Sequence, residues 1–412
     1  MTAPASNSSE HHRGLAALLA ALTAVGPFSV DAYLPSMPDI GVKLHAPMLE
    51  VQQTLTAYMV PFALMTLWHG AISDALGRRR VILWGTALFI VASTACACAH
   101  SIHQLLIFRA LQGMTAGAGM VVGRAIVRDL FHGAEAQRVM SQVSLTFALA
   151  PAIAPVIGGW LQAWFGWRAV FVFLVSFACL AWLLCRFVLP ETLPPERRRS
   201  LHPVYLARSY WSVLTSHRFI ALCLALTLNF SGFFIYVASA PVFLIQHLGV
   251  PATGFLWLFG PATAGIAAGS WLSGKFAGRM APLRTLAYGY GLMGAAMAVN
   301  FLLTLFLPPT LPWTVAPLFF YVVGLSLAAP TLTLLALDLF PHHRGLAASC
   351  QSFAQTTGAA LNAMLAPLVW STTLSLAITQ VVALALGLGA LLLYVRLSRT
   401  DREPALPAGA AS

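Results

Sequence analysis

Twelve apolar runs, none shorter than 19 residues, constrain what this chain can fold into more than any motif does. They fall at 14–36, 51–73, 81–99, 102–124, 137–161 and 167–189, then at 218–245, 253–275, 284–306, 311–337, 345–370 and 373–395. A hydrocarbon layer about 30 Å thick is crossed by about 20 helical residues. Lipid offers no partner to a bare peptide group, so such a run crosses as a helix, which pairs its own backbone. Composition agrees: 59% of the residues are hydrophobic, 8% are charged, and mean hydropathy is +0.80. A soluble domain carries about 25% charged residues. Twelve spans with short connections take up the 412 residues and leave no length for a soluble domain.

The longest polar interruption, "PETLPPERRRSLHPVYLARSYWSVLTSH", divides the chain. The expected layout is a tail at 1–13, a six-helix bundle at 14–189, a linker at 190–217, a second bundle at 218–395 and a tail at 396–412. Basic residues set the orientation. Arg78, Arg79, Arg80, Arg124, Arg128, Arg138, Arg197, Arg198, Arg199, Arg208, Lys275, Arg279, Arg284 and Arg344 follow even-numbered segments, and Arg13, Arg396, Arg399 and Arg402 flank the termini. The opposite loops hold only Lys43 and Arg168. This bias puts linker and both termini in the cytoplasm. It also accounts for the net charge of +11 without nucleic acid, since no basic face with interleaved aromatics lies outside the spans.

Several features reduce to ordinary membrane chemistry. The six cysteines lie in apolar runs without C-x-x-C spacing and read as small packing residues. The stretch from Arg13 resembles a signal peptide, but its apolar character runs on to Leu34, so it reads as an uncleaved first helix. "GSWLSGKF" approximates a phosphate loop without its terminal Ser or Thr, and "GAGMVVG" lacks dinucleotide spacing. The pairs His11–His12 and His342–His343 read as solvated rather than as metal ligands, so no metal, ATP site or cofactor is expected. Any active transport would draw on an ion gradient.

Charge inside the spans is rare, and only Asp31 and Arg109 lie well within them. Each costs at least about 2.5–3.5 kcal/mol to insert. Counting 1.5 Å per residue from the outer ends of segments one and four puts both roughly 6–11 Å deep, a shared level at which they would meet. As a structural ion pair they would only join helices. As a functional pair, Asp31 binds the proton under the opposed influences of burial and the guanidinium, while Arg109 stays protonated.

The loop "GAISDALGRRR" carries Gly70, Asp74, Gly77 and Arg78, and its glycines allow a tight turn. Asp74 is suited to pair with a loop arginine or a helix N-terminus. A weaker echo, "WLSGKFAGRMA", recurs about two hundred residues later, as a two-bundle transporter would have it. Segment five places Pro151 and Pro155 ahead of Gly158 and Gly159 in "ALAPAIAPVIGGWL", a pattern for a bent helix in close contact with a neighbour.

These motifs resemble those of the major facilitator superfamily. The loop from Gly70 to Arg80 is similar to the signature between its helices two and three. "LLIFRALQGMTAGAGM" resembles its fourth-helix motif through Arg109, Gln112 and Gly113. The fifth-helix segment is similar to the antiporter motif of the drug-exporting branch, with Ala154 where many members have glycine. "DAYLPSMPDI", "GRAIVRDLF", "GWRAVF" and "PET" narrow the resemblance to the Bcr/CflA family of drug:proton antiporters. The second half matches mainly in layout, and Lys275 replaces the acid of the repeated loop. The resemblance implies twelve helices in two pseudo-symmetric bundles, a bacterial inner-membrane location and proton-coupled efflux. It implies roles for Asp31 and Arg109 in coupling and for Asp74 and Arg78 in a cytoplasmic latch.

An apolar cavity with a few polar groups suits small lipophilic substrates, neutral or weakly cationic. Its candidate lining is Tyr33, Tyr58, Met59, Gln112, Met114, Asn229, Phe233, Phe234, Tyr236, Gln351 and Gln355. Nothing in the chain calls for more than a monomer. The alternative is a proton-coupled transporter of a metabolite such as a nucleoside or sugar acid, which the fifth-helix pattern disfavours. A non-transporting membrane sensor would want an appended soluble domain.

Overall fold

The computed structural model describes residues 6–131, 133–198, 211, 213–341 and 344–400. Among these, every regular element is helical. The first half comprises α1 (Ser6–Asp31), a 3₁₀ turn at Leu34–Ser36, short α2 (Met37–Lys43), α3 (Met48–Leu76), α4 (Arg78–Ala97), α5 (Ile102–Leu130), α6 (Gly133–Phe165) and α7 (Arg168–Val188). The second comprises α8 (His217–Ala238), a π-helical turn at Pro241–His247, α9 (Leu256–Phe276), α10 (Pro282–Phe306), α11 (Ala316–Asp338), α12 (Arg344–Val369) and α13 (Thr373–Thr400). Apart from α2, each half holds six long helices. Ten spans are long and apolar enough to cross a bilayer, and α6 and α12 complete the twelve.

Helix boundaries follow local chemistry. Gly77 turns α3 into α4 at φ 99°, a conformation that strains any residue with a Cβ. Ser101 caps α5 by accepting from the Gln104 backbone N–H at 3.3 Å, and Ser216 caps α8 through Phe219. The first segment does not leave the membrane as a plain helix end. Asp31 is the last residue of α1, and the chain continues through buried Leu34–Ser36 into α2. Helix extends into both expected tails, since α1 begins at Ser6 and α13 runs to Thr400. Residues 199–210 and 212 of the expected linker, the end of the last tail and His342–His343 lie outside the described residues, as do the side chains of His11 and His12.

The two halves repeat one another. In the first, α3, α4 and α1 pack on α5, α6 and α7 pack on α1, and α4 packs on α7. Substituting α8–α13 for the six long helices of the first half reproduces all six contacts: α9, α10 and α8 on α11, α12 and α13 on α8, and α10 on α13. The halves meet through α3 against α12 and through the equivalent pair α9 against α6. Two girdles of exposed tryptophan mark the interfaces, Trp68, Trp84 and Trp271 toward the arginine-rich end and Trp160, Trp164, Trp257 and Trp313 toward the other. Cys98 departs from the packing role expected of it, capping the end of α4 in an exposed position.

Candidate functional site

Three polar assemblies stand out in the first half and at its seam with the second. The deepest surrounds Arg109, which is wholly buried. Its guanidinium lies between two aromatic rings, 4.5 Å from the centroid of Tyr33 on the α1 side and 4.4 Å from that of Tyr58 on α3. Such stacking is worth about 2 kcal/mol or more when desolvated. Nη1 donates to the Ser29 carbonyl at 3.1 Å and to Gln112 Oε1 at 2.6 Å. Gln112 Nε2 in turn donates to Ser93 Oγ at 2.8 Å. Nε and Nη2 of the same guanidinium find no hydrogen-bond partner. The close approach of α3 comes from Gly113, where a Cβ would lie 2.0 Å from the Tyr58 carbonyl oxygen.

Asp31 is also buried, at 5% exposure, and lies within electrostatic range of Tyr58. It does not form the ion pair expected with Arg109. Salt bridges form instead at Arg78–Asp74, Arg78–Asp129 and Arg344–Asp338. Counting residues fixes a level in the membrane but not the face each side chain takes. The Ser29 carbonyl and two tyrosine rings occupy the positions next to the guanidinium.

The second assembly is at the arginine-rich end. Arg78 pairs with Asp74 one turn earlier, binds Asp129 at 3.2 Å through Nε, and donates to Ser73 Oγ at 2.5 Å. Its backbone N–H, at the start of α4, donates to Glu191 Oε1 at 2.9 Å. Thr192 Oγ1 donates to Asp129 at 3.0 Å. Thus the Gly-Asp-Gly-Arg loop, the acid of "GRAIVRDLF" and the Glu-Thr of "PET" form one cluster. A Cβ on Gly77 would lie 2.5 Å from Glu191 Oε2, so this turn needs glycine for space as well as for φ.

The third assembly seals the opposite end. A Cβ on Gly158 would lie 2.0 Å from the Ala32 carbonyl oxygen, and one on Gly159 would lie 2.3 Å from that of Ala252. Helix α6 passes through Pro151 and Pro155 unbroken and touches backbone on both sides. Beside it, Gln52 Nε2 donates to the Ala238 carbonyl at 3.3 Å and the Ala363 carbonyl at 3.1 Å, so one side chain on α3 ties both halves together. Ala363 needs that donor because Pro367, four residues on, has no N–H for it.

The family model described as Major Facilitator Superfamily matches residues 19–363. This chain belongs to that superfamily. It is 34% identical over 337 residues to the uncharacterized MFS-type transporter YdgK of Bacillus subtilis, covering 81% of this chain and 84% of the relative. The bicyclomycin resistance protein homolog of Haemophilus influenzae is 32% identical over 58% of this chain and 61% of its own. Multidrug resistance protein D of Escherichia coli is 28% identical over 84% and 88%. A crystal structure of a bacterial homolog to the human lysosomal transporter Spinster, in an inward-facing and unoccupied conformation, superposes with a TM-score of 0.72. It covers 98% of this chain and 100% of its own at 16% identity, which establishes the shared fold. The protein is therefore a multi-pass membrane protein of a transporter superfamily with relatives of the drug-resistance kind.

On this major facilitator scaffold the eleven candidate lining residues separate. Tyr33, Tyr58 and Gln112 surround Arg109, and Tyr33 shares a 2.5 Å hydrogen bond with Thr54. The Asn229 side-chain amide donates to Tyr290 at 2.7 Å, and its backbone carbonyl accepts from Tyr321 at 2.9 Å. Tyr236 accepts from Asn300 at 2.8 Å, and Asn300 also donates to Gln380 at 2.9 Å. These are cross-helix bonds in a buried second-half core. Gln351 donates to Thr333 at 2.8 Å. Met59, Phe233 and Phe234 are buried, Gln355 is half-buried, and Met114 is 42% exposed. Sequence reasoning missed Ser29, Gln52, Ser93, Asp129 and Glu191 as members of these assemblies. For Gln52 the available signal was Pro367, a proline that leaves a carbonyl unpaired inside an apolar segment.

Proposed function

We propose that this protein exports small lipophilic compounds, neutral or weakly cationic, across the bacterial inner membrane in exchange for protons. The observation that carries the reading is that the first half buries one unbridged carboxyl group, Asp31, and one guanidinium, Arg109, two of whose nitrogens have no hydrogen-bond partner. A carboxylate formed at Asp31 would need a cationic partner, which the open edge of Arg109 offers if the two approach during the transport cycle, and protonation removes that need. The group is thus able to bind and lose a proton without breaking an existing salt bridge. Relatives named for bicyclomycin and multidrug resistance support the substrate class.

The arginine-rich end, with linker and termini, is read as cytoplasmic on the positive-inside rule. Gly158, Gly159 and Gln52 then close the outer side, and Asp74, Arg78, Asp129 and Glu191 brace the inner side. Alternating access follows by rocking one half against the other about a midplane site. Exchange requires that substrate bind the deprotonated form better than the protonated one. The monomer suffices, and the proton gradient is the sole energy source.

The test is a panel of antibiotic susceptibilities in an efflux-deficient bacterium expressing wild type or Asp31→Asn. Wild type is expected to protect against at least one lipophilic drug, and both an uncoupler and the substitution to abolish protection. Equal resistance with Asp31→Asn at equal expression would remove the proton-coupling reading. Accumulation in inverted vesicles with an acidified interior separates export from metabolite import.

A further inference from the structure

Two arginines at the arginine-rich end of α5 stand without a counter-charge among the described residues. Arg124 is half-buried and Arg128 exposed, and neither makes a hydrogen bond or an ion pair there. They lie within electrostatic range of each other, one helical turn apart, where like charges repel. Asp129, next to Arg128 in the chain, is held by Arg78 and Thr192, and Asp338 is held by Arg344. Arg124 and Arg128 follow Gly117 by seven and eleven residues. At about 100° per residue both return to within about 20° of its face. That face meets α3 at Gly117, where a Cβ would lie 3.3 Å from His69 Nδ1. Farther along it reaches across the seam: a Cβ on Gly345, the second residue of α12, would lie 3.8 Å from Arg128 Nη1. The first turn of α12 carries partial positive charge on its N–H groups, so the second half offers these arginines no relief. The positive-inside rule accounts for arginine where a helix meets water. It does not account for a half-buried arginine on the seam between two halves, one turn from its like.

We propose that Arg124 and Arg128 are specificity-determining residues that exclude cationic compounds. They hold the opening between the halves at positive potential, and low-dielectric walls on either side focus that field on whatever enters. A neutral compound passes, and a cation is turned back. The inference rests on the export reading, in which substrate enters at the arginine-rich end, and narrows its substrate class to the neutral compounds.

The test reads the potential directly on the purified full chain in detergent and needs no transported compound. Ser352 is half-buried and follows Gly345 by seven residues on the same face of α12, so Ser352→Cys puts a thiol just past the pair. With exposed Cys98 changed to serine, its reaction is timed with two methanethiosulfonate reagents of similar size, one bearing a sulfonate and one a quaternary ammonium. Each rate is divided by that reagent's rate with a free small thiol. At low salt the sulfonate-to-ammonium ratio is expected to fall roughly tenfold when Arg124→Gln and Arg128→Gln are combined. Arg124→Lys with Arg128→Lys keeps both charges and is expected to keep the ratio. About 1 M salt is expected to abolish the difference. In cells, the double Gln variant is expected to raise resistance to the lipophilic cation tetraphenylphosphonium about fourfold or more over wild type. A ratio within about twofold of wild type in the Gln variant, a Lys variant that falls as far, a thiol that neither reagent reaches, or unchanged resistance to the cation would each overturn the proposal. Wild type that protects against no neutral drug would instead overturn the export reading, which the ratio of rates does not depend on.

Discussion

Replacing Gln52 by alanine isolates the tie between the halves at the end away from the arginine-rich loops. The side chain supplies two hydrogen bonds, each worth about 1 kcal/mol net. Removing it strands the Ala363 carbonyl, which Pro367 leaves without a helix partner, at a cost of about 1 kcal/mol more. Against this, Gln52 Oε1 is itself buried and unpaired, and its removal returns about 1 kcal/mol. The closed seam should lose about 2 kcal/mol, and at 1.4 kcal/mol per decade that is roughly a 30-fold shift toward an open form. The substitution Ser239→Cys can report it. Ser239 is wholly buried just past the end of α8, and its hydroxyl has no partner to lose. With exposed Cys98 changed to serine, labelling by a membrane-impermeant maleimide should accelerate on the order of 30-fold in Gln52→Ala. A rate within twofold of the parent would refute the reasoning, because it would mean that the glycine contacts alone hold the seam shut.

Further outcomes follow from the same geometry. Gly158→Val is expected to abolish drug resistance at normal expression, since its Cβ would sit 2.0 Å from the Ala32 carbonyl oxygen; resistance growth assays check this. Arg78→Ala should destabilise the protein by about 3 kcal/mol, read as a lowered melting temperature in detergent, because it unpairs Asp74 and Asp129 together. Arg109→Lys is expected to cost at least about tenfold in proton-driven efflux, as an ammonium cannot fill the stacked, forked position between Tyr33 and Tyr58.

How much of this was legible in the sequence depended on separation along the chain. The Asp74–Arg78 pair is an i,i+4 contact across a glycine turn, close enough in sequence for a loop arginine to stand among the partners expected of Asp74. Asp129 and Glu191 join the same cluster from 51 and 113 residues beyond Arg78, and which face of a helix they take is decided by packing. Gln52 acts across 186 and 311 residues and looks in sequence like any polar residue near a helix end. Tyr33 and Tyr58 suit a cavity wall as far as residue type goes, because aromatic rings serve lipophilic ligands and cations equally well. Only the stacking geometry assigns them to Arg109.

The two halves also show what a repeat preserves and what it gives up. Their helix contacts correspond pair for pair, and Gly77 and Gly278 both turn through positive φ at matching loops. Yet Lys275 stands where the first half has Asp74, and it packs 5.1 Å from the ring centroid of Trp271. The buried cores diverge in the same way. Beside Arg109, Gln112 and Ser93 in the first half, the second half sets Asn229, Tyr236, Tyr290, Asn300, Tyr321 and Gln380, joined by neutral hydrogen bonds. Backbone packing constrains glycines and helix faces in both halves, so the fold is kept. A buried charge costs several kcal/mol and persists only where something is gained from it. On the proton-coupling proposal, a charge kept in one core and absent from the described residues of its counterpart assigns the ionic work to the first half.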